Sequence, residues 1–149
     1  MSNVEQKLQA MGLKLPACPA PVAAYLPVQT AGKLIYASGQ TAWVDGKLLY
    51  AGKVGGDVSV ADAYESAKLS AVNCLSAIAT VADLDQIRIV RVHGWVNGVP
   101  DFGDQPAVVN GASELLEALY GEHGRHARSA IGVGSLPTNA SVEIELIAE

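Results

Sequence analysis

The chain has 149 residues, 50% of them hydrophobic and 17% charged, with a mean hydropathy of +0.23. That length suits one compact domain burying about two thirds of its unfolded surface. Ten basic against fifteen acidic residues leave a net charge of −5, which supplies no cationic footprint for a phosphate backbone and disfavours nucleic-acid binding.

No stretch approaches the roughly 20 apolar residues that span a bilayer. The start, MSNVEQKLQA, has no basic segment followed by an apolar one, so a cytoplasmic protein without a membrane partner is expected. Cys18 and Cys74 show neither C-x-x-C nor zinc-ligand spacing and read as reduced packing thiols. Positive mean hydropathy in a chain this small implies apolar surface beyond one core, as in a subunit buried against its own copies.

Residues 1–19 read as an N-terminal helical arm, with Val4, Leu8 and Met11 at helical spacing over 3–13 before Pro16 and Pro19 end the periodicity. Residues 20–149 form the main domain of what is a single domain overall. Val22–Gln29 and Lys33–Trp43 are β-rich around a turn at Gly32, and Asp45-Gly46 marks a hairpin into Lys47–Tyr50.

Asp57 or Ser59 then caps a long helix to about Val81, with Tyr64, Ala67, Ala71, Leu75 and Ile78 as its apolar stripe. Ile87–Asn97 reads as a strand, and about Ala107–Tyr120 as a second helix facing inward with Val108, Ala112, Leu115, Leu116 and Leu119. Two strands, Arg128–Gly134 and Ser141–Ala148, close the chain around a turn at Leu136–Asn139. This order predicts an α+β fold, a mixed sheet with two helices packed on one face.

Strand alternation then divides the faces. Val90, Val92 and Val96 oppose Arg91, His93 and Trp95; Val142, Ile144 and Leu146 oppose Glu143, Glu145 and Ile147; Ser129, Ile131 and Val133 oppose Arg128, Ala130, Gly132 and Gly134. The aliphatic sets are expected toward the helices. Arg128 and Glu143 then share the open face, where self-association would partly desolvate a guanidinium suited to carboxylates.

The run Arg128-Ser129-Ala130-Ile131-Gly132-Val133-Gly134-Ser135-Leu136-Pro137, followed by Val142-Glu143-Ile144-Glu145, resembles the signature of the RidA/YjgF family, also called endoribonuclease L-PSP. Ala37-Ser38-Gly39-Gln40 is similar to the family's N-terminal motif, Tyr25 precedes Ser38 by the thirteen residues of the family pattern, and Asp101-Phe102 with Asn110 fits as well. Ala130 stands where many members carry cysteine.

The resemblance implies a chorismate-mutase-like fold assembled as a homotrimer around a central barrel, with clefts between subunits. It also implies an enzyme without metal or other cofactor, a deaminase hydrolysing reactive enamines and imines of the 2-aminoacrylate type to 2-oxo acids and ammonia. By the same resemblance Arg128 and Glu143 are the catalytic pair, clamping the substrate carboxylate and activating water. Tyr25, Ser38, Gly39, Asn110 and Ala130 line the cleft; Trp95, sharing a strand face with His93, is a further candidate wall.

Other signals are weaker. Glu122, His123 and His126 lie in a glycine-broken turn without a fixed helical face, so a solvated loop is expected rather than a metal site. The glycines of Ala51–Gly56 match no phosphate-binding pattern, and no G-x-S-x-G occurs. A trimer that binds small carboxylates without turnover, and an RNA-cleaving or translation-inhibiting protein, are the alternatives. The second is opposed by the −5 charge and by only 5% aromatic residues for base stacking.

Overall fold

A computed structural model describes residues 1–149. A mixed five-stranded sheet carries β1 (Val28–Ala31), β2 (Leu34–Ala37), β7 (Val142–Ala148), β5 (Ile89–Asn97) and β6 (Ala127–Val133) in that spatial order, and β3 (Trp43–Val44) with β4 (Lys47–Leu48) forms a separate hairpin. Helices α2 (Val60–Ile78) and α3 (Gln105–Tyr120) cover one face, α2 over β2 and β7, α3 over β5 and β6. The architecture is therefore the α+β layer pair that the pattern predicts.

Local chemistry accounts for most boundaries. The Ser59 hydroxyl accepts from the Asp62 amide at 3.1 Å and starts α2. Its alanines, with Ser66 and Ser70, are small enough to bring α2 onto the sheet and onto α3. At the crossing of the two helices Gly111 meets the Tyr64 backbone; a Cβ there would lie 2.0 Å from the Tyr64 carbonyl oxygen. Gly94 likewise lets α3 approach β5, since a Cβ would fall 2.5 Å from Val109 Cγ2.

Helix α1 (Asn3–Ala10) docks on this core instead of standing free. Ser2 and Glu5 form a reciprocal capping box, and the Asp85 carboxylate accepts from the amides of Asn3 and Val4 at 2.7 and 2.9 Å. Lys7 donates to the Leu119 carbonyl at the end of α3, while Val4 and Leu8 join the main hydrophobic cluster. Met11 does not join them: it caps the helix and stays exposed.

Three further expectations change. Residues 22–27 are irregular, and β1 begins at Val28. The run Lys33–Trp43 is broken after Ala37, because Ser38 turns to bond the Leu26 carbonyl and Gln40 pairs with Ile144 of β7. A bulge between Ile89 and Arg91 puts Ile89, rather than Val90, in the core beside Val92 and Val96.

The third strand face is reversed. Paired residues on neighbouring strands share a face, and Arg128 is registered with Val92, which is fully buried under the helices. Arg128, Ala130 and Gly132 therefore face the helices, while Ser129, Ile131 and Val133 lie on the open face with Trp95 and Glu143. The cause lies in α3, whose Asn110 and Ser113 offer acceptors to Arg128. Satisfying a guanidinium there outweighs burying Ile131, which remains 45% exposed.

Candidate functional site

The side chains singled out in the sequence fall into two groups separated by the sheet. On the helix side, Arg128 of β6 donates through Nη1 to Asn110 Oδ1 at 2.8 Å and to Ser113 Oγ at 3.1 Å, and through Nη2 to the Pro106 carbonyl at 3.3 Å. Three of its five N–H groups are thus engaged by α3. The Nε–H and one Nη2–H have no protein partner. A guanidinium fixed on one side with donors remaining on the other is suited to a second, bidentate acceptor such as a carboxylate. Ala130, two residues along on the same face, packs against the core.

On the open side, Glu143 of β7 lies directly across from Trp95 of β5. The two hydrogen bonds between Gln40 and Ile144, 2.8 and 2.9 Å, clamp the loop after β2 beside this carboxylate. Gly39 in that loop is needed for the close approach: a Cβ would stand 3.0 Å from Glu143 Cδ and Oε2. Burial, reinforced by the Glu145 carboxylate, raises the Glu143 pKa above the ordinary carboxylate value. At a given pH this carboxyl therefore keeps its proton more readily than a solvated glutamate.

Trp95 stacks on His93 with ring centroids 4.1 Å apart and 14° between planes, forming an aromatic wall next to Glu143. The Ser38 hydroxyl donates to the Leu26 carbonyl at 2.6 Å, so toward any ligand it can act only as an acceptor. That bond also ties down the segment carrying Tyr25, whose ring is half exposed. Tyr25, Ser38, Gly39, Trp95 and Glu143 thus belong to the open-face side and its flanking loop; Asn110, Ala130 and Arg128 belong to the helix side. Arg128 and Glu143 do not meet within one chain, contrary to the expectation that they share a face.

His126 is a second correction. His123 is exposed, but His126 is half-buried, with Nδ1 2.6 Å from the Gly124 carbonyl and Nε2 2.9 Å from Ser113 Oγ. Its ring is committed to the support of Arg128, not to a solvated loop. Burial and the Arg128 charge lower its pKa, partly offset by the Gly124 carbonyl and Glu117. Ser113 escaped the sequence reading altogether. The available signal was Asn110-x-x-Ser113, two uncharged polar residues three apart and so on one side of the helix.

The cysteines are free: Cys74 is buried and donates to the Ile144 carbonyl at 3.1 Å, and burial raises its pKa. No helix is long and apolar enough to cross a membrane.

A helix-backed mixed sheet with an anchored arginine on one side and a recessed glutamate on the other defines a compact α+β class. The chain belongs to the YjgF family: the model described as "YjgF/chorismate_mutase-like, putative endoribonuclease" matches residues 5–149. Protein TCP17 of Trypanosoma cruzi is 37% identical over 150 residues, covering 99% of this chain and 94% of that protein. Among solved structures, Atu1372 of Agrobacterium tumefaciens, described as of unknown function, is similar at 45% identity and a TM-score of 0.91, covering 99% of this chain and 92% of that one. The YjgF gene product of E. coli is similar at 26% identity and a TM-score of 0.63, over 88% and 91% of the two chains.

Proposed function

We propose that this protein is a cofactor-independent deaminase that hydrolyses 2-imino acids and their enamine tautomers to 2-oxo acids and ammonia. The observation that carries the reading is Arg128, held by Asn110, Ser113 and the Pro106 carbonyl while two N–H groups remain for a ligand. A planar fork so held suits a carboxylate in a way that a lysine would not. Because the sheet separates Arg128 from Glu143, the working site is a cleft completed by a second copy, consistent with the homotrimer and central barrel implied by the family resemblance. Trp95, Ile131, Ile147 and Tyr36 on the open face provide apolar area for such an assembly.

In that cleft Arg128 fixes the substrate carboxylate. In the substrate already protonated on the imine nitrogen, ionised Glu143 of another copy takes one proton from water as the water oxygen adds to the carbon, giving a neutral carbinolamine. Glu143 returns that proton to the amino group, the C–N bond breaks as ammonia leaves, and the hydroxyl proton passes to Glu143 and then to water as the 2-oxo group forms. The chemical demand is modest. General acid–base assistance is worth about 10²–10⁴-fold, and orientation supplies the rest. Trp95 and Tyr25 wall the cleft, while the small Ala130 leaves no thiol on the Arg128 side.

A carboxylate-binding trimer without turnover would use the same Arg128. Recessed Glu143, with its raised pKa, favours chemistry over binding alone. RNA cleavage is the less supported reading, given the −5 net charge.

The test is ammonia release from 2-iminopropanoate generated in situ. Turnover by the protein and its loss in Arg128→Ala are expected; an equal rate in that variant would refute the mechanism. Tight 2-oxo acid binding with no turnover by the unaltered protein would favour the binding role.

A further inference from the structure

The groups behind Arg128 form a chain whose bond directions are fixed by chemistry. The Gly124 carbonyl can only accept, so the 2.6 Å contact places the proton of neutral His126 on Nδ1. Nε2 is then an acceptor, and the contact at 2.9 Å takes the Ser113 hydroxyl proton. Ser113 Oγ turns a lone pair to Arg128 Nη1 at 3.1 Å. The turn itself is rigidly seated: Gly124 packs so tightly on α3 that a Cβ would lie 2.2 Å from the Leu116 carbonyl oxygen.

This chain opens to a depression of about 270 Å³ lined by Ser113, Glu117, Gly124, Arg125, His126 and Arg128, with no apolar side chain. The charged groups facing His126 are Glu117 on α3, Arg125 on the turn and Arg128 on β6. Arg125 lies 3.8 Å from Glu117 and 3.6 Å from Glu122, so the cation of the turn is paired with carboxylates. Arg128 has only neutral acceptors around it.

We propose that Ser113 and His126 are positioning residues of the Arg128 carboxylate site, and that carboxylate binding there is coupled to proton uptake by His126. The inference rests on the carboxylate role of Arg128 given above. A bound carboxylate neutralises the guanidinium that disfavours a second cation beside it, so the imidazole gains a proton more readily. Once Nε2 carries a proton it donates to Ser113 Oγ, releasing the hydroxyl hydrogen to turn into the depression while Oγ still accepts from Arg128. Both effects have one sign: small carboxylates bind more tightly as pH falls through the His126 titration, and the 2-oxo acid leaves more readily as pH rises.

Calorimetry of 2-oxobutyrate binding to the full-length protein, at about pH 6 in two buffers of different ionisation enthalpy, tests this. The unaltered protein is expected to take up a fraction of a proton. His126→Gln should bind without that uptake, Ser113→Ala should bind roughly tenfold more weakly, and Ser113→Thr, which keeps the hydroxyl, should restore affinity. Nuclear magnetic resonance should show the His126 ring titrating at higher pH when 2-oxobutyrate saturates the site. Binding abolished by Arg128→Ala, but with no uptake, or with uptake persisting in His126→Gln, overturns the coupling and leaves the carboxylate reading intact. Binding undiminished in Arg128→Ala overturns the carboxylate reading and the coupling with it.

Discussion

Replacing Gly39 by alanine separates the catalytic role proposed for Glu143 from its contribution to folding. The added Cβ would stand 3.0 Å from Glu143 Cδ and Oε2 and 3.2 Å from Cγ, against ordinary carbon contacts of about 3.5–4.0 Å. Roughly 0.5 Å must be recovered, and the carboxylate, at the end of a rotatable side chain, yields before the backbone does. Gly39 is not among the glycines with positive φ, so alanine adopts its backbone without strain and restricts the unfolded chain by about 0.4–1 kcal/mol. That gain offsets the tighter contact, and stability should stay within about 1 kcal/mol. Glu143, the proposed proton carrier, is by contrast moved on the scale at which a 1 Å error costs about a hundredfold. An approximately tenfold fall in kcat for 2-iminopropanoate is expected, with KM unchanged because Arg128 is untouched. Parallel kinetics and thermal melting decide the matter. Unchanged kcat at unchanged Tm, or a rise in KM alone, would refute the role assigned to Glu143.

The Glu143→Gln variant should lose most turnover and the acid limb of the pH–rate profile, a limb that in the unaltered protein lies above the ordinary carboxylate pKa because burial disfavours ionisation. Since the fold favours the protonated acid, the stabilisation from that form is complete below the unfolded pKa and lost as pH rises through the folded one. Glutamine should therefore raise Tm more at pH 7 than at pH 4, as scanning calorimetry will show. Gly111→Ala should destabilise by about 3 kcal/mol or more in urea unfolding, because its Cβ would stand 2.0 Å from a backbone carbonyl of α2 and neither helix can yield locally.

Where burial is decided by nearest neighbours, the fold was legible in the sequence. Alternation in β7 separated Ile144 and Leu146 from Glu143 and Glu145, and of the two cap candidates, Asp57 and Ser59, the second starts α2. The failures share a physical cause. One bulged residue, Val90, shifts a strand's phase without any mark in its composition. In β6, Ile131 and Val133 look like core residues, yet the face is chosen by Arg128, whose acceptors Asn110 and Ser113 lie 18 and 15 positions away in the chain. His126 looked solvated because it follows a turn broken by Gly121 and Gly124, but Gly124 is buried against α3 and its carbonyl holds the ring inward. The motif residues of the candidate site could be named in advance; their division across the sheet depended on packing that no local pattern encodes.

That division has a chemical rationale. A free guanidinium and carboxylate on one face would attract each other by about 4 kcal/mol at 4 Å in a medium of effective dielectric near 20, closing the space in which a small imino acid must lie. The sheet prevents this within a chain, leaving Arg128 supported by neutral acceptors and Glu143 recessed against Gly39 and Glu145. In the proposed assembly the two groups approach from different copies, and substrate length sets their separation. The surplus of apolar residues then serves the site as well as the interface, because burying the open face excludes water around Glu143 and holds it opposite a cation that its own chain keeps out of reach.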